Sequence, residues 1–292
     1  MQYFLENPHL KIKINEVGAE VKSIYGKTTD FEYLYQGNPE IWKGSAYHLF
    51  PICGRLFNCE YTYKGKTYQM GLHGFSRDFT HNVISQSQNS ITFEFLSNEK
   101  TKEIYPFDFI LNVTHTLDNN RLISSFNVTN PNEEVLPFSI GGHPGFNIPL
   151  DPSIKDEEHY LEFSSECLPK KYLFAGNFIT GEKAPYPLKD GKRIDFSHRL
   201  FYSEGIFLSD MADGITIKAN NCDRYVKINY KNASVLGLWH APGCDAPYIC
   251  IEPWKGIPST DGKVDDFSSK NQFVYLDKGQ SFTLEYSVEV NE

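Results

Sequence analysis

Three stretches of this chain concentrate side chains that move protons or grip polar ligands. In SIGGHPGFNIP, Ser139 to Pro149, His143 stands after two glycines and before a proline, with Gly145 next. Glycine lets a ligand or a neighbouring backbone approach closely, and Pro144 fixes the following φ, so the spacing predicts a turn that aims His143 into a cleft. In YICIEPW, Glu252 is the one ionisable carboxylate of an otherwise apolar run. Buried, it would have a pKa above the usual value of about 4.3 and serve as a general base near neutrality. Placed at a strand end, it would be an ordinary surface glutamate, and the sequence leaves both readings open. The third stretch, LFPICGRLFNCEYTYKGKTYQMGLHGFSRD, carries Arg55 after Gly54, His73 between Leu72 and Gly74, and Arg77.

A histidine and a carboxylate held in one cleft suit acid–base work. Two histidines and a glutamate also match the ligand types of a mononuclear metal site, but no HxH, HxxxH or HxxxE spacing links these residues, so no metal is expected. No GxSxG marks a nucleophilic serine, and no GxGxxG or GxxxxGK[ST] marks a nucleotide site. Trp239 and Trp254 are candidate platforms for a sugar face as well as candidate core residues. Asp245 and Lys255 fit either a cleft wall or a loop surface. His48, His115 and His240 read as structural, His115 because it falls on an apolar strand face.

The elements that must position these groups are strands. ITFEFL places Ile91, Phe93 and Phe95 on one face. FILNVTHTL and LISSFNVTN flank Asp118-Asn119-Asn120 and read as a hairpin; EYTYKGKTYQM turns at Lys64-Gly65, and ITIKA and YVKINY flank Asn220-Asn221. FTLEYSVEV alternates to the C-terminal end. Helical periodicity is scarce, with short turns predicted at NPEIW and DDFSSKNQ. The stretch 165–200, rich in Pro, Gly and Lys, reads as an irregular excursion. No repeat or linker divides the chain, so residues 1–292 are expected to form a single all-β domain of packed, mainly antiparallel sheets.

Composition narrows the partners. A formal net charge of −9 with no dense basic run argues against nucleic acid and against an anionic membrane. The six cysteines form no CxxC pair and read as reduced thiols of a cytoplasmic protein. The N-terminal residues lack the pattern of a signal peptide. Aromatic residues, 15% of the chain, suit strand packing and also the C–H faces of a carbohydrate.

At GR (Arg55), HGF (His73), GGHPGFNIP (His143) and CIEPW (Glu252), in that order and over nearly the whole chain, the sequence resembles the aldose 1-epimerase (galactose mutarotase) family, its bacterial branch and the related hexose-6-phosphate mutarotases. The resemblance implies a β-supersandwich with a sugar site on a concave face, no cofactor, and a monomer or homodimer acting on a small sugar. It implies His143 as general acid, Glu252 as general base, and His73 and Arg55 on sugar hydroxyls. Glu204 stands where the family often has an aspartate that binds hydroxyls. Anomer exchange needs one proton removed from the anomeric hydroxyl and one delivered to the ring oxygen, by groups expected on opposite sides of the hemiacetal. The leading expectation is a mutarotase of a free hexose; Arg77 could instead hold a phosphate, which would make the substrate a hexose 6-phosphate, and a binding-only sugar sensor is the other alternative.

Overall fold

The computed structural model of the protein describes residues 1–291. Period-two burial builds it. Ile110–Asp118 and Arg121–Thr129 each alternate half-buried and buried residues without a break and pair antiparallel across the Asn119–Asn120 turn. They lie in a nine-stranded sheet whose order runs Arg193–Asp195, His159–Phe163, Gly214–Ala219, Val226–Lys231, Ser281–Val290, Arg121–Thr129, Ile110–Asp118, Ser90–Leu96, Asn82–Gln86. The predicted hairpins at Lys64-Gly65 and between Gly214–Ala219 and Val226–Lys231 both form.

A second large sheet has seven strands in the order Phe178–Pro185, Lys170–Ala175, Ile206–Ser209, Val235–Trp239, Tyr248–Lys255, Ile140–Asn147, Ala46–Leu49, all antiparallel. One face buries Ile140, Phe146, Leu236, Leu238, Ile249 and Ile251 in the same core as Phe126, Leu284 and Tyr286 of the nine-stranded sheet. Each such side chain taken fully from water contributes about 1.5–3 kcal/mol, the driving force for pairing the two sheets. Gly142 belongs to this contact: a Cβ there would stand 2.6 Å from the Tyr286 ring.

Four expectations change. NPEIW closes a short turn bridged between Asn38 and Trp42, and Asp265–Asp266 forms a parallel strand beside Glu60–Tyr63, so neither predicted helix exists. Among the described residues, the one α-helix is Glu99–Ile104, started by an Asn98–Thr101 capping box. The 165–200 stretch is no excursion: Lys170–Ala175 and Phe178–Pro185 extend the seven-stranded sheet at its edge. Finally, His143 sits in the middle of a strand and not in a turn. Among the described residues no helix is long and apolar enough to cross a membrane, and all six cysteines are free.

Candidate active site

The second face of the seven-stranded sheet carries the chemistry. Tyr47 pairs with His143, Glu252 with Gly237, and Gly237 with Phe207. The register on either side of the Pro144 position, Gly141 against Trp254 and Gly145 against Cys250, brings His143 opposite Glu252. Tyr47, His143, Glu252, Gly237 and Phe207 therefore form one transverse row over five strands. The glycines around it clear space and do not bend the chain. A Cβ on Gly141 would meet Trp254 at 2.5 Å, one on Gly145 would meet Trp42 at 2.8 Å, and one on Gly237 would meet Phe207 at 2.9 Å and the Glu252 Cβ at 3.1 Å. The row forms the floor of a cavity of about 380 Å³.

His143 Nε2 lies 3.2 Å from Glu252 Oε2, with both residues almost fully buried. Neither His143 Nδ1 nor Glu252 Oε2 has an aligned hydrogen-bond partner, which leaves desolvated polar atoms facing a cleft. Burial drives the two groups toward their neutral forms. It lowers the His143 pKa to about 3 and raises that of Glu252 well above the usual carboxylate range. The Trp254 indole N–H, close by but not aligned for a hydrogen bond, draws Glu252 partly back down. Of the two readings of Glu252, the buried one holds. At 3.2 Å the two groups are close enough for a proton to pass directly between them.

His73 comes from a loop and is held in a left-handed conformation, φ 65°, ahead of Gly74 at φ 72°. Such a backbone costs about 1–3 kcal/mol and persists only where its surroundings enforce it. Here Gly54 does so, donating its N–H to His73 Nδ1 at 3.0 Å and accepting the His73 N–H at 2.9 Å. Because Nδ1 accepts, the ring proton is on Nε2. Burial and the nearby His143, Arg77 and Arg55 hold the ring neutral, so it is a fixed donor edge-on to His143.

Arg55, Glu204 and Trp239 also line the cavity. Glu204 is ion-paired with Lys171 at 2.7 Å. Arg77 does not line it: the guanidinium lies 4.7 Å over the Tyr47 ring and donates to the Leu72 carbonyl at 3.1 Å, with Asp78 at 3.9 Å. That packing takes it away from the place expected of a phosphate ligand in the cavity. Trp254 lines the wall, whereas Asp245 accepts from Tyr202 outside it. Among the residues not singled out from sequence, Trp42, Tyr47, Phe174 and Phe207 form walls. Their types are those of any strand core, and only pairing reveals which face they occupy. The metal-type set of His73, His143 and Glu252, weighed and disfavoured from the sequence, does not gather. The groups that do are His143, Cys250 and Glu252, with ligand atoms within 4.8 Å of one another.

Known proteins agree with this architecture. The aldose 1-epimerase family model matches residues 1–289. The LacX protein of Lactococcus lactis is 32% identical over 266 residues, which cover 88% of each chain. A galactose mutarotase related enzyme from Lactobacillus acidophilus superposes with a TM-score of 0.95 at 34% identity, covering 100% of this chain and 98% of its own. A galactose mutarotase-like protein from Lactobacillus casei does so with 0.93 at 28% identity over the full length of both. The chain belongs to the aldose 1-epimerase family, isomerases that act on carbohydrates, and has the fold of the galactose mutarotase-like proteins.

Proposed function

We propose that this aldose 1-epimerase family member interconverts the α and β anomers of a free hexose, with Glu252 as the base at the anomeric hydroxyl and His143 as the acid at the ring oxygen. The observation that carries this reading is the 3.2 Å contact between His143 Nε2 and Glu252 Oε2 on the cavity floor. The hydroxyl oxygen and the ring oxygen of a hemiacetal are bonded to the same carbon. Two groups side by side on one wall can each reach one of them, so the acid and base need not flank the sugar as the sequence reading assumed.

The proton inventory fits. Burial favours a protonated Glu252 against a neutral imidazole. Moving that one proton to His143 yields a carboxylate and an imidazolium, the competent pair, without exchange with solvent. Sugar hydroxyls entering the cavity supply hydrogen bonds that support the charged form. Glu252 then takes the anomeric proton as His143 gives its proton to the ring oxygen. The C1–O5 bond breaks, the open aldehyde turns about C1–C2, and the reverse transfers close the other anomer. His73 Nε2–H and the Arg55 fork hold hydroxyls, Glu204 accepts from another, and Trp239 covers an apolar sugar face.

A neutral sugar is favoured over a sugar phosphate by the packing of Arg77 on Tyr47 and by the pairing of Lys171 with Glu204. The retained acid–base pair favours an enzyme over a sugar sensor. Polarimetry of freshly dissolved α-glucose, α-galactose and α-glucose 6-phosphate tests the reading. Faster equilibration of the free sugars, lost in His143→Ala, is expected; a preference for the phosphate would move the substrate to the phosphorylated class, and no acceleration of any of them would sink it.

A further inference from the structure

Cys250 has no part in the chemistry above, yet it stands one pleat from Glu252 on the same face of the same strand and opposite Gly145 of the His143 strand. Its thiol is fully buried beneath Trp42 and Tyr35 and just behind the cavity floor. The ligand atoms of His143, Cys250 and Glu252 all lie within 4.8 Å of one another. Bonds of about 2.0–2.3 Å to a tetrahedral ion separate its ligand atoms by roughly 3.3–3.8 Å. The His143 Nε2 to Glu252 Oε2 distance of 3.2 Å is just short of that spacing, and small side-chain shifts would bring all three atoms to it. Glu252 Oε2 is moreover buried without an aligned partner, so an ion would satisfy an atom that the protein leaves unsatisfied.

We propose that His143 Nε2, Cys250 Sγ and a Glu252 oxygen form a site for a divalent ion of the zinc class, which shuts off the acid–base pair when it binds. The donor set of imidazole, thiolate and carboxylate selects borderline-soft ions such as Zn²⁺ and Co²⁺ over Mg²⁺ and Ca²⁺, which take oxygen ligands. The ion enters from the cavity, and a water completes the tetrahedron on that side. As the metal–sulfur and metal–carboxylate bonds form, the Cys250 thiol proton and the Glu252 carboxyl proton both leave through the cavity to solvent, while His143 binds as the neutral imidazole. His143 then has no free Nε2 to protonate a ring oxygen, and Glu252 no free lone pair to take a proton. The ion is an inhibitor here and not a cofactor. The inhibitory consequence rests on the mutarotase reading, whereas the binding site does not.

The experiment is a Co²⁺ titration of the chelator-stripped, full-length protein, followed by absorption. A near-ultraviolet band from thiolate-to-cobalt charge transfer, saturating at one ion per chain and absent in Cys250→Ser, is expected. In parallel, Zn²⁺ should stop mutarotation reversibly, with chelator restoring it. Cys250→Ser and Cys250→Ala should each raise the inhibitory Zn²⁺ concentration at least tenfold relative to their own metal-free rates. No band, a band that survives in Cys250→Ser, or unchanged Zn²⁺ sensitivity in both folded variants would overturn the proposal. A one-to-one band lost in Cys250→Ser from a protein that accelerates no sugar would instead uphold the site and remove the mutarotase reading.

Discussion

Two groups of buried histidines lie on the cavity side and on the core side of this protein, and they are easily confused by electrostatics alone. On the cavity side stand His73 and His143; toward the core stand His48, His81 and His115. Burial depresses all five. What separates them is hydrogen bonding. His48 Nε2 meets Ser76 Oγ at 2.8 Å, and the same hydroxyl lies 3.2 Å from His81 Nε2, whose Nδ1–H donates to the Phe79 carbonyl at 3.0 Å. His115 donates from Nε2 to the Ala19 carbonyl and accepts from Ser124. None of these three has a buried ring nitrogen left unpartnered, whereas His143 Nδ1 and Glu252 Oε2 are both unpartnered. Unsatisfied burial costs stability, so it persists where a ligand supplies the missing partner; satisfied burial holds a core together.

Removing a member of the unsatisfied pair tests that contrast most strongly. Glu252→Gln and His143→Ala are each expected to lower kcat by about 10²–10⁴-fold, the usual contribution of a positioned proton transfer. Their denaturation midpoints should hold or rise, because an uncompensated buried group has gone. A variant that lost both activity and stability would place the pair with the structural histidines and break the distinction.

Acid should act on the satisfied group as well as on His143, which burial holds lower still, at about 3. His81 and His115 are held near pKa 4 in the fold and return to about 6.5 when unfolded. A folded pKa below the unfolded one gives stability that is fully present above pH 6.5 and is lost as pH falls from there toward 4. At about 1.4 kcal/mol per pKa unit, each ring accounts for about 3 kcal/mol over that window. Unfolding free energies from urea titrations at pH 7.5 and pH 4.5 should differ by several kcal/mol, and His115→Gln should reduce the difference. Equal free energies would show that these rings bind protons in the folded state. Smaller again is Ser76→Ala. It strips the hydroxyl shared by His48 and His81 and should cost about 1–3 kcal/mol with the mutarotation rate unchanged.

The strand pattern was legible because period-two burial is written locally: Ile110–Asp118 and Arg121–Thr129 state their buried face residue by residue. The helix at Glu99–Ile104 was missed although Asn98 and Thr101 form its capping box, because it has a single buried residue, Thr101, and so no apolar period. Within the site, His143 and Glu252 stood out as oddities in their neighbourhoods. The glycines beside His143 do permit close approach, but in a strand and not in the expected turn. They clear room for Trp254, Tyr286 and Trp42, side chains remote in sequence, and nothing in GGHPG names the residues that will need the space. Tyr47 and Phe207 were invisible for the same reason: they join the site through register across strands. Arg77 shows the reverse error, a residue of suitable type whose guanidinium is engaged by Tyr47 and the Leu72 carbonyl.

Between the two extremes lies the rim pair Lys171–Glu204, neither buried nor fully exposed, with side chains 25% and 30% accessible. Pairs this open contribute about 0–1 kcal/mol to stability, so the contact has little reason to exist for the fold. On the proposed mutarotase reading, it fixes the Glu204 carboxylate at the cavity edge, where a sugar hydroxyl would meet it. Lys171→Met frees that carboxylate without removing it. A KM a few-fold higher at unchanged kcat is expected, with the unfolding free energy changed by less than about 1 kcal/mol. Glu204→Gln, which retains an acceptor oxygen and loses the charge, should raise KM by a similar factor. If kcat fell in step with kcat/KM in either variant, the rim would belong with His143 and Glu252 as part of the reacting machinery, and the boundary between floor and rim would have to be redrawn.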